Sequence, residues 1–112
     1  MEASRAEDEA SVFRALADST RRQILAELRP GELAAGEIAG RFPLSGPSIS
    51  RHLGVLKAAG LIRERRVANR IFYSLVEERL ALCVGRFLSA VCPEEAVSRW
   101  HRARAVERGD RA

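Results

Sequence analysis

Apolar positions along this chain recur every three to four residues in several short stretches, interrupted once by two runs of alternating character. Val12, Phe13 and Leu16 make an apolar stripe on a first predicted helix that ends near Ala17. Asp18, Ser19 and Thr20 then offer N-cap side chains, and Thr20-Arg-Arg-Gln23 has the form of a capping box. The second predicted helix buries Ile24, Leu25 and Leu28 and stops at Pro30-Gly31. A third, over residues 33–42, is expected to bury Ile38 and Phe42 despite two glycines.

Pro43-Leu-Ser-Gly46 reads as a turn, after which Ser45 caps a fourth helix that tolerates Pro47 in its first turn and ends at Gly60. On a wheel of 100° steps Ile49, Leu53 and Leu56 form its buried stripe, and Pro47, Arg51, Gly54, Val55 and Ala58 lie opposite. Residues 61–66 and 70–75 are rich in strand formers and flank Val67-Ala-Asn69, which predicts a β-hairpin with Asn69 taking positive φ. From Val76 the helical period returns through Leu80, Cys83, Val84, Phe87, Leu88 and Val91. Pro93 breaks that helix and opens a last one at its N1 position, with Glu94 and Glu95 in the first turn and Val97 and Trp100 as its apolar positions. The sum is a mainly α fold with one small hairpin: four helices, two strands, a fifth helix and a further C-terminal helix. The third and fourth helices with the hairpin have the order of a winged helix-turn-helix.

The 112 residues suit one domain, expected over residues 11–106, with a flexible acidic arm at 1–10 and a frayed tail at 107–112. A chain this small gains from pairing with a second copy. Two cysteines are too few for a disulfide scaffold, no stretch is apolar enough to span a bilayer, and no secretory signal opens the chain, so a cytoplasmic location without membrane partners is expected.

Charge sharpens the picture because it is uneven. Residues 45–75 carry a formal +5 against −3 over residues 1–10. A basic region of this kind points to a polyanion, and to nucleic acid before membrane, since no amphipathic basic stripe or lipidation signal accompanies it. The outward face of the fourth helix is small and polar around Arg51, which lets its backbone approach a major-groove floor while Arg51 reaches guanine or a phosphate. Ser45, Ser48 and Ser50 are candidates for phosphate contacts at the helix N-terminus or, equally, plain caps. His52 leans toward the apolar stripe as a packed or phosphate-bonded side chain more than a base reader. Lys57 and the hairpin residues Arg63, Arg65, Arg66 and Arg70 complete the DNA-binding set, the four arginines read as one patch in a minor groove or along the backbone. Alternating charge on an exposed hairpin also deters edge-to-edge aggregation.

Phe13-Arg-Ala-Leu-Ala-Asp-Ser-Thr-Arg-Arg-Gln-Ile-Leu25, Gly36-Glu-Ile-Ala39, the run from Leu44 to Ile62 and Tyr73-Ser-Leu75 together resemble the ArsR/SmtB family of winged-helix transcription regulators. The resemblance spans about residues 12–76. It implies a homodimer built from the first and last helices that binds an imperfect palindrome in double-stranded operator DNA, more often as repressor than activator, released by a small-ion or protein effector. Val12, Phe13, Leu80, Val84, Phe87, Leu88, Val91 and Trp100 are the expected dimer residues. Many members sense metal through a Cys-x-Cys pair in the third helix. This chain has Glu32-Leu-Ala-Ala-Gly-Glu-Ile38 there, similar to the SdpR-like members that lack the cysteines.

No cofactor is required on this reading. A divalent transition metal as effector remains an alternative, with His101 and nearby acidic residues as a non-standard site. Cys83 and Cys92 lie nine positions apart, about 13 Å on one helix, beyond disulfide reach without unwinding or a bond between protomers. An enzyme is not expected, as the chain has no phosphate loop, nucleophile–base pair or metal cluster. The alternative from another class is a winged-helix module that binds proteins, with Trp100 as an anchor.

Overall fold

Local capping and a small shared core explain the order of elements in the computed structural model, which describes residues 2–109 and their side chains from residue 8. Helix α1 (Glu2–Leu16) leads into α2 (Ser19–Glu27), followed by strand β1 (Leu33–Ala34), the short α3 (Ala35–Ala39) and α4 (Gly46–Ala58). Strands β2 (Ile62–Val67) and β3 (Arg70–Leu75) come next, then α5 (Glu77–Val91) and α6 (Glu94–Glu107). The contacts divide the chain into one unit that runs to Leu80 and a second that starts at Ala81.

In the first unit α1 packs on α2 and α4, and the sheet closes the other side in the order β1-β3-β2, all antiparallel. Val12, Ile24, Leu28, Ile38, Leu56 and Leu61 are wholly buried at its centre, each contributing about 1.5–3 kcal/mol by leaving water. Val12, expected at the dimer interface, thus lies in the protomer's own core. Its neighbour Phe13, one 100° step round the helix, is 36% exposed.

Of the three N-cap candidates read from the sequence, Asp18 is the cap of α2; its carboxylate accepts from the Arg21 N–H at 3.1 Å, and the helix starts two positions earlier than a Thr20 capping box would set it. The predicted third helix is shortened at both ends. Leu33 and Ala34 pair with Tyr73 and Phe72 as a strand, and the helical hydrogen bonds stop at Gly40, leaving Phe42 half-buried in the turn. Glu37 secures this strand-to-helix junction by accepting from the Ala34 N–H at 2.9 Å.

In the hairpin, Val67 pairs with Arg70, so Ala68 and Asn69 form a two-residue turn. Positive φ falls on Ala68, at 55°, and not on Asn69. Pro93 is the N-cap of α6, one position earlier than expected. Residues 2–10, read from the sequence as an arm, are helical in the structure, and α6 covers the tail through Glu107. Positions 1 and 110–112 lie outside the described residues. No helix among the described residues is long and apolar enough to cross a membrane.

Candidate nucleic-acid interface

Helix α4 is fixed at both ends before any partner arrives. Ser45 accepts from the Ser48 N–H at 3.2 Å, and Pro47 sits in the first turn, where no intrahelical donor is needed. At the other end Gly60 takes φ 76°, and the N–H groups of Gly60 and Leu61 return to the carbonyls of Lys57 and Leu56. These two bonds are the Schellman closure, and it requires a residue free to adopt the left-handed region. Ile49, Leu53 and Leu56 are buried, as their spacing predicts. Ser50, Arg51 and Gly54 are exposed on the opposite side. Arg51 makes no ion pair with any described residue, so its guanidinium is available to an outside anion.

The three serines separate. Ser45 spends its hydroxyl lone pair on the cap, Ser48 is half-buried with its N–H taken by that cap, and Ser50 is open to solvent. His52 is turned inward with 17% of its side chain exposed. Its Nδ1 lies 3.3 Å from Arg21 Nη1 and 3.9 Å from Asp18 Oδ2. The Asp18 carboxyl is held below its ordinary value chiefly by the backbone N–H of Arg21.

The wing does not present its arginines as one patch. Register places Arg63, Arg65 and Arg70 on one face with Phe72, and Arg66 on the other with Glu64 and Tyr73. Arg65 forms a two-point pair with Glu32, at 3.0 Å from Nε and 2.5 Å from Nη2, across 33 positions of sequence. The same bonds lower the Glu32 carboxyl below its ordinary range and raise the Arg65 guanidinium. Arg65 and Arg70 also stand over the Phe72 ring at 5.0 and 4.9 Å. On the other face Glu64 gathers Lys57 at 3.2 Å and Arg66 at 3.5 Å and accepts from the Tyr73 hydroxyl at 3.4 Å. Lys57 is the main reason its carboxyl lies low, whereas burial is the main reason the Tyr73 phenol lies high. Arg63 is exposed and, like Arg51, has no ion-pair partner among the described residues.

Sequence reasoning missed Glu32 and undervalued Glu64, the two acids that decide which basic side chains are available. Nothing local points to Glu32, because its partner reaches it only through the β1–β3–β2 sheet.

In the second unit, α6 and the part of α5 after Leu80 leave Phe87, Val91 and Trp100 more than half exposed. Leu88, Cys92, Ala96, Val97, Trp100 and His101 line a groove of about 360 Å³. Cys83 is buried and Cys92 half-buried, both free thiols. His101 meets the Trp100 ring edge at a centroid distance of 5.2 Å. Leu80 and Val84 are half-buried. Among the described residues no three His, Cys, Asp or Glu side chains gather as a metal site. The segment that carries the family's cysteine site does not fit a thiophilic ion here. Its donors are Glu32, bound to Arg65, and Glu37, bound to the Ala34 N–H.

A helix-turn-helix domain model matches residues 16–65, which cover α2 through most of β2. The chain is 49% identical over 65 residues, 58% of its own length and 72% of the other's, to the transcriptional repressor SdpR of Bacillus subtilis. An ArsR-like transcriptional regulator from Rhodococcus superposes with a TM-score of 0.68 at 33% identity, covering 95% of this chain and 94% of that one. The homodimeric winged helix-turn-helix DNA-binding domain of a possible ArsR-family regulator from Mycobacterium bovis gives 0.67 at 32% identity, covering 80% and 83%. A capped helix whose arginine has no ion-pair partner among the described residues, a hairpin wing within a three-stranded sheet and these relatives lead to one assignment. The chain belongs to the ArsR/SmtB family of winged helix-turn-helix regulators, DNA-binding proteins that control transcription and are not enzymes.

Proposed function

We propose that the chain is a repressor that binds a palindromic operator as a homodimer, with α4 in the major groove and the wing beside it. The observation that carries this reading is the outward face of α4, where Arg51 stands unpaired among Ser50, Gly54 and Pro47. Small neighbours let the helix backbone approach base edges, and a guanidinium pairs with guanine O6 and N7 through two donors. Arg63 and Arg70 on the outer face of the wing supply the phosphate contacts, with Ser50 at the edge of the groove. Arg65 serves mainly to tie the hairpin to Glu32, whereas Arg66 pairs with Glu64 two positions before it on the same strand.

Exposed Phe13 on α1, and Phe87, Leu88 and Val91 on α5, support pairing of two copies through these helices. The homodimeric relative from Mycobacterium bovis and the repressor from Bacillus subtilis favour the same reading. Selection of duplexes from a random pool tests it. The expected product is a two-fold symmetric sequence bound by two chains, with half-sites about one helical turn apart. Recovery of no common sequence, or of a site bound by one chain, contradicts it. Repression is then read from a reporter carrying the selected sequence across its promoter.

A further inference from the structure

We infer that Arg21 and Arg79, neither of which belongs to the recognition helix, are the positioning residues that tie α4 to α1 and so set where Arg51 reaches. The inference rests on α4 as the DNA-reading helix. A helix that reads base edges has to be held to about 0.5 Å and 10–20° for its side chains to meet their targets. Hydrophobic packing of Ile49, Leu53 and Leu56 fixes the distance of α4 from the core but resists sliding and rotation weakly, because dispersion contacts are non-directional. Directional bonds from outside the helix supply what packing lacks.

Arg21 sits where α1 ends and α2 begins. Its Nε donates to the Ala15 carbonyl at 2.7 Å and its Nη2 to the Arg14 carbonyl at 3.0 Å. Both carbonyls are in the last turn of α1, where the regular helical bonds run out, and that of Arg14 also accepts from the Ala17 N–H at 3.2 Å. The remaining nitrogen, Nη1, lies 3.3 Å from His52 Nδ1, midway along α4. Guanidinium nitrogens only donate, so this contact makes Nδ1 the acceptor of the ring. One planar group thereby fixes the end of α1 and the middle of α4 in a single fork. The backbone of the same residue is pinned by Asp18.

Arg79, in the first turn of α5, holds the far end. Its Nε donates to the Ala59 carbonyl, the C-cap of α4, at 2.6 Å, and its Nη2 lies 3.9 Å from Asp8 on α1. Gly60 leaves the slot for this side chain. A Cβ there would come within 2.7 Å of Arg79 Nε and 2.8 Å of its Cδ. Gly60 thus serves both the left-handed turn and the strut that crosses it. Both struts lead to α1, so a displacement of α1 is carried to α4 at two points and not absorbed in between.

A purely stabilising role predicts that the folded fraction of a variant binds DNA normally. A positioning role predicts lost discrimination with an unchanged count of phosphate contacts. Arg21→Met, Arg79→Met, Arg21→Lys and Arg79→Lys are therefore titrated by fluorescence anisotropy against the duplex selected by the natural chain and against a scrambled duplex, over a series of salt concentrations. Affinities are referred to the folded fraction from melting curves of the same samples. Each Met variant is expected to bind the selected duplex about tenfold more weakly while changing less than about twofold on the scrambled one, with the salt slope of the natural protein. Lysine is expected to restore part of the loss. If a Met variant does not fold, its Lys counterpart carries the test, with about threefold loss confined to the selected duplex. Unchanged affinity of the folded variants for the selected duplex overturns the inference. So does equal loss on both duplexes with a shallower slope, the signature of a phosphate contact. Failure of the natural chain to select any sequence would instead remove α4 as a reading helix, a separate result visible before any variant is made.

Discussion

The recognition helix and the wing differ in what they do with positive charge. The wing carries four arginines, of which Arg65 and Arg66 are paired with Glu32 and Glu64 and Arg70 lies over Phe72. Helix α4 carries Arg51 and Lys57, of which Lys57 is drawn to Glu64 and Arg51 has no ion-pair partner among the described residues. The more basic element is thus the more committed internally. Arg51 and Arg63 are the two of these basic residues without an ion-pair partner or ring contact among the described residues, a distinction visible only in the fold. Two of these pairs reach outside the hairpin, Arg65 to Glu32 beside β1 and Glu64 to Lys57 on α4.

The comparison can be broken most severely from beneath. Leu56→Ala empties a wholly buried position under α4 and is expected to cost about 2–5 kcal/mol of stability, read by chemical denaturation. The same measurement on Val67→Ala, an exposed wing position, is expected to change stability within about 0.5 kcal/mol. Ser45→Ala removes the N-cap bond and should cost about 1 kcal/mol, with Ser45→Asp recovering most of it.

In the wing, Arg63→Ala is expected to reduce the slope of log affinity against log salt by about one, whereas Arg65→Ala should change it by less, because Arg65 is already occupied by Glu32. Equal slope changes would show that Glu32 gives way to DNA. Ala68→Gly relieves the left-handed residue of the hairpin turn and should add less than about 1 kcal/mol, measured as a small rise in Tm.

Acid titration sharpens the contrast further. Asp18, Glu32 and Glu64 all lie below their ordinary values of 3.8, 4.5 and 4.5. A carboxyl lowered in the folded state lends stability above its unfolded value and loses it as pH falls through the lowered one. Melting temperature should therefore fall as the pH drops below the ordinary carboxylate range, and Glu64→Gln should flatten part of that fall.

Much of this molecule was legible in the sequence. Helical spacing located the buried stripe of α4, and Ser45, Pro47 and Gly60 marked its ends, because capping is chemistry of neighbours. What escaped was non-local. Leu33-Ala34 has no strand signature and becomes one only because Tyr73 and Phe72 lie alongside. Asn69 is the better left-handed residue by type, yet the pairing of Val67 with Arg70 puts the demand on Ala68. Adjacent apolar residues such as Val12 and Phe13 cannot be sorted into core and surface until the partner helices are placed. The four wing arginines look alike in sequence and part company only through the pleat and the distant Glu32.

The central claim is that Arg51 on α4 reads bases. It is tested most directly by titrating Arg51→Ala against the selected duplex and against the same duplex substituted at each position of one half-site. The account predicts a loss of about 1–3 kcal/mol on the selected duplex, and indifference of the variant to substitution at one base pair that the natural chain discriminates. An equal loss on every duplex, with a salt slope shallower by about one, would make Arg51 a phosphate contact and contradict the claim.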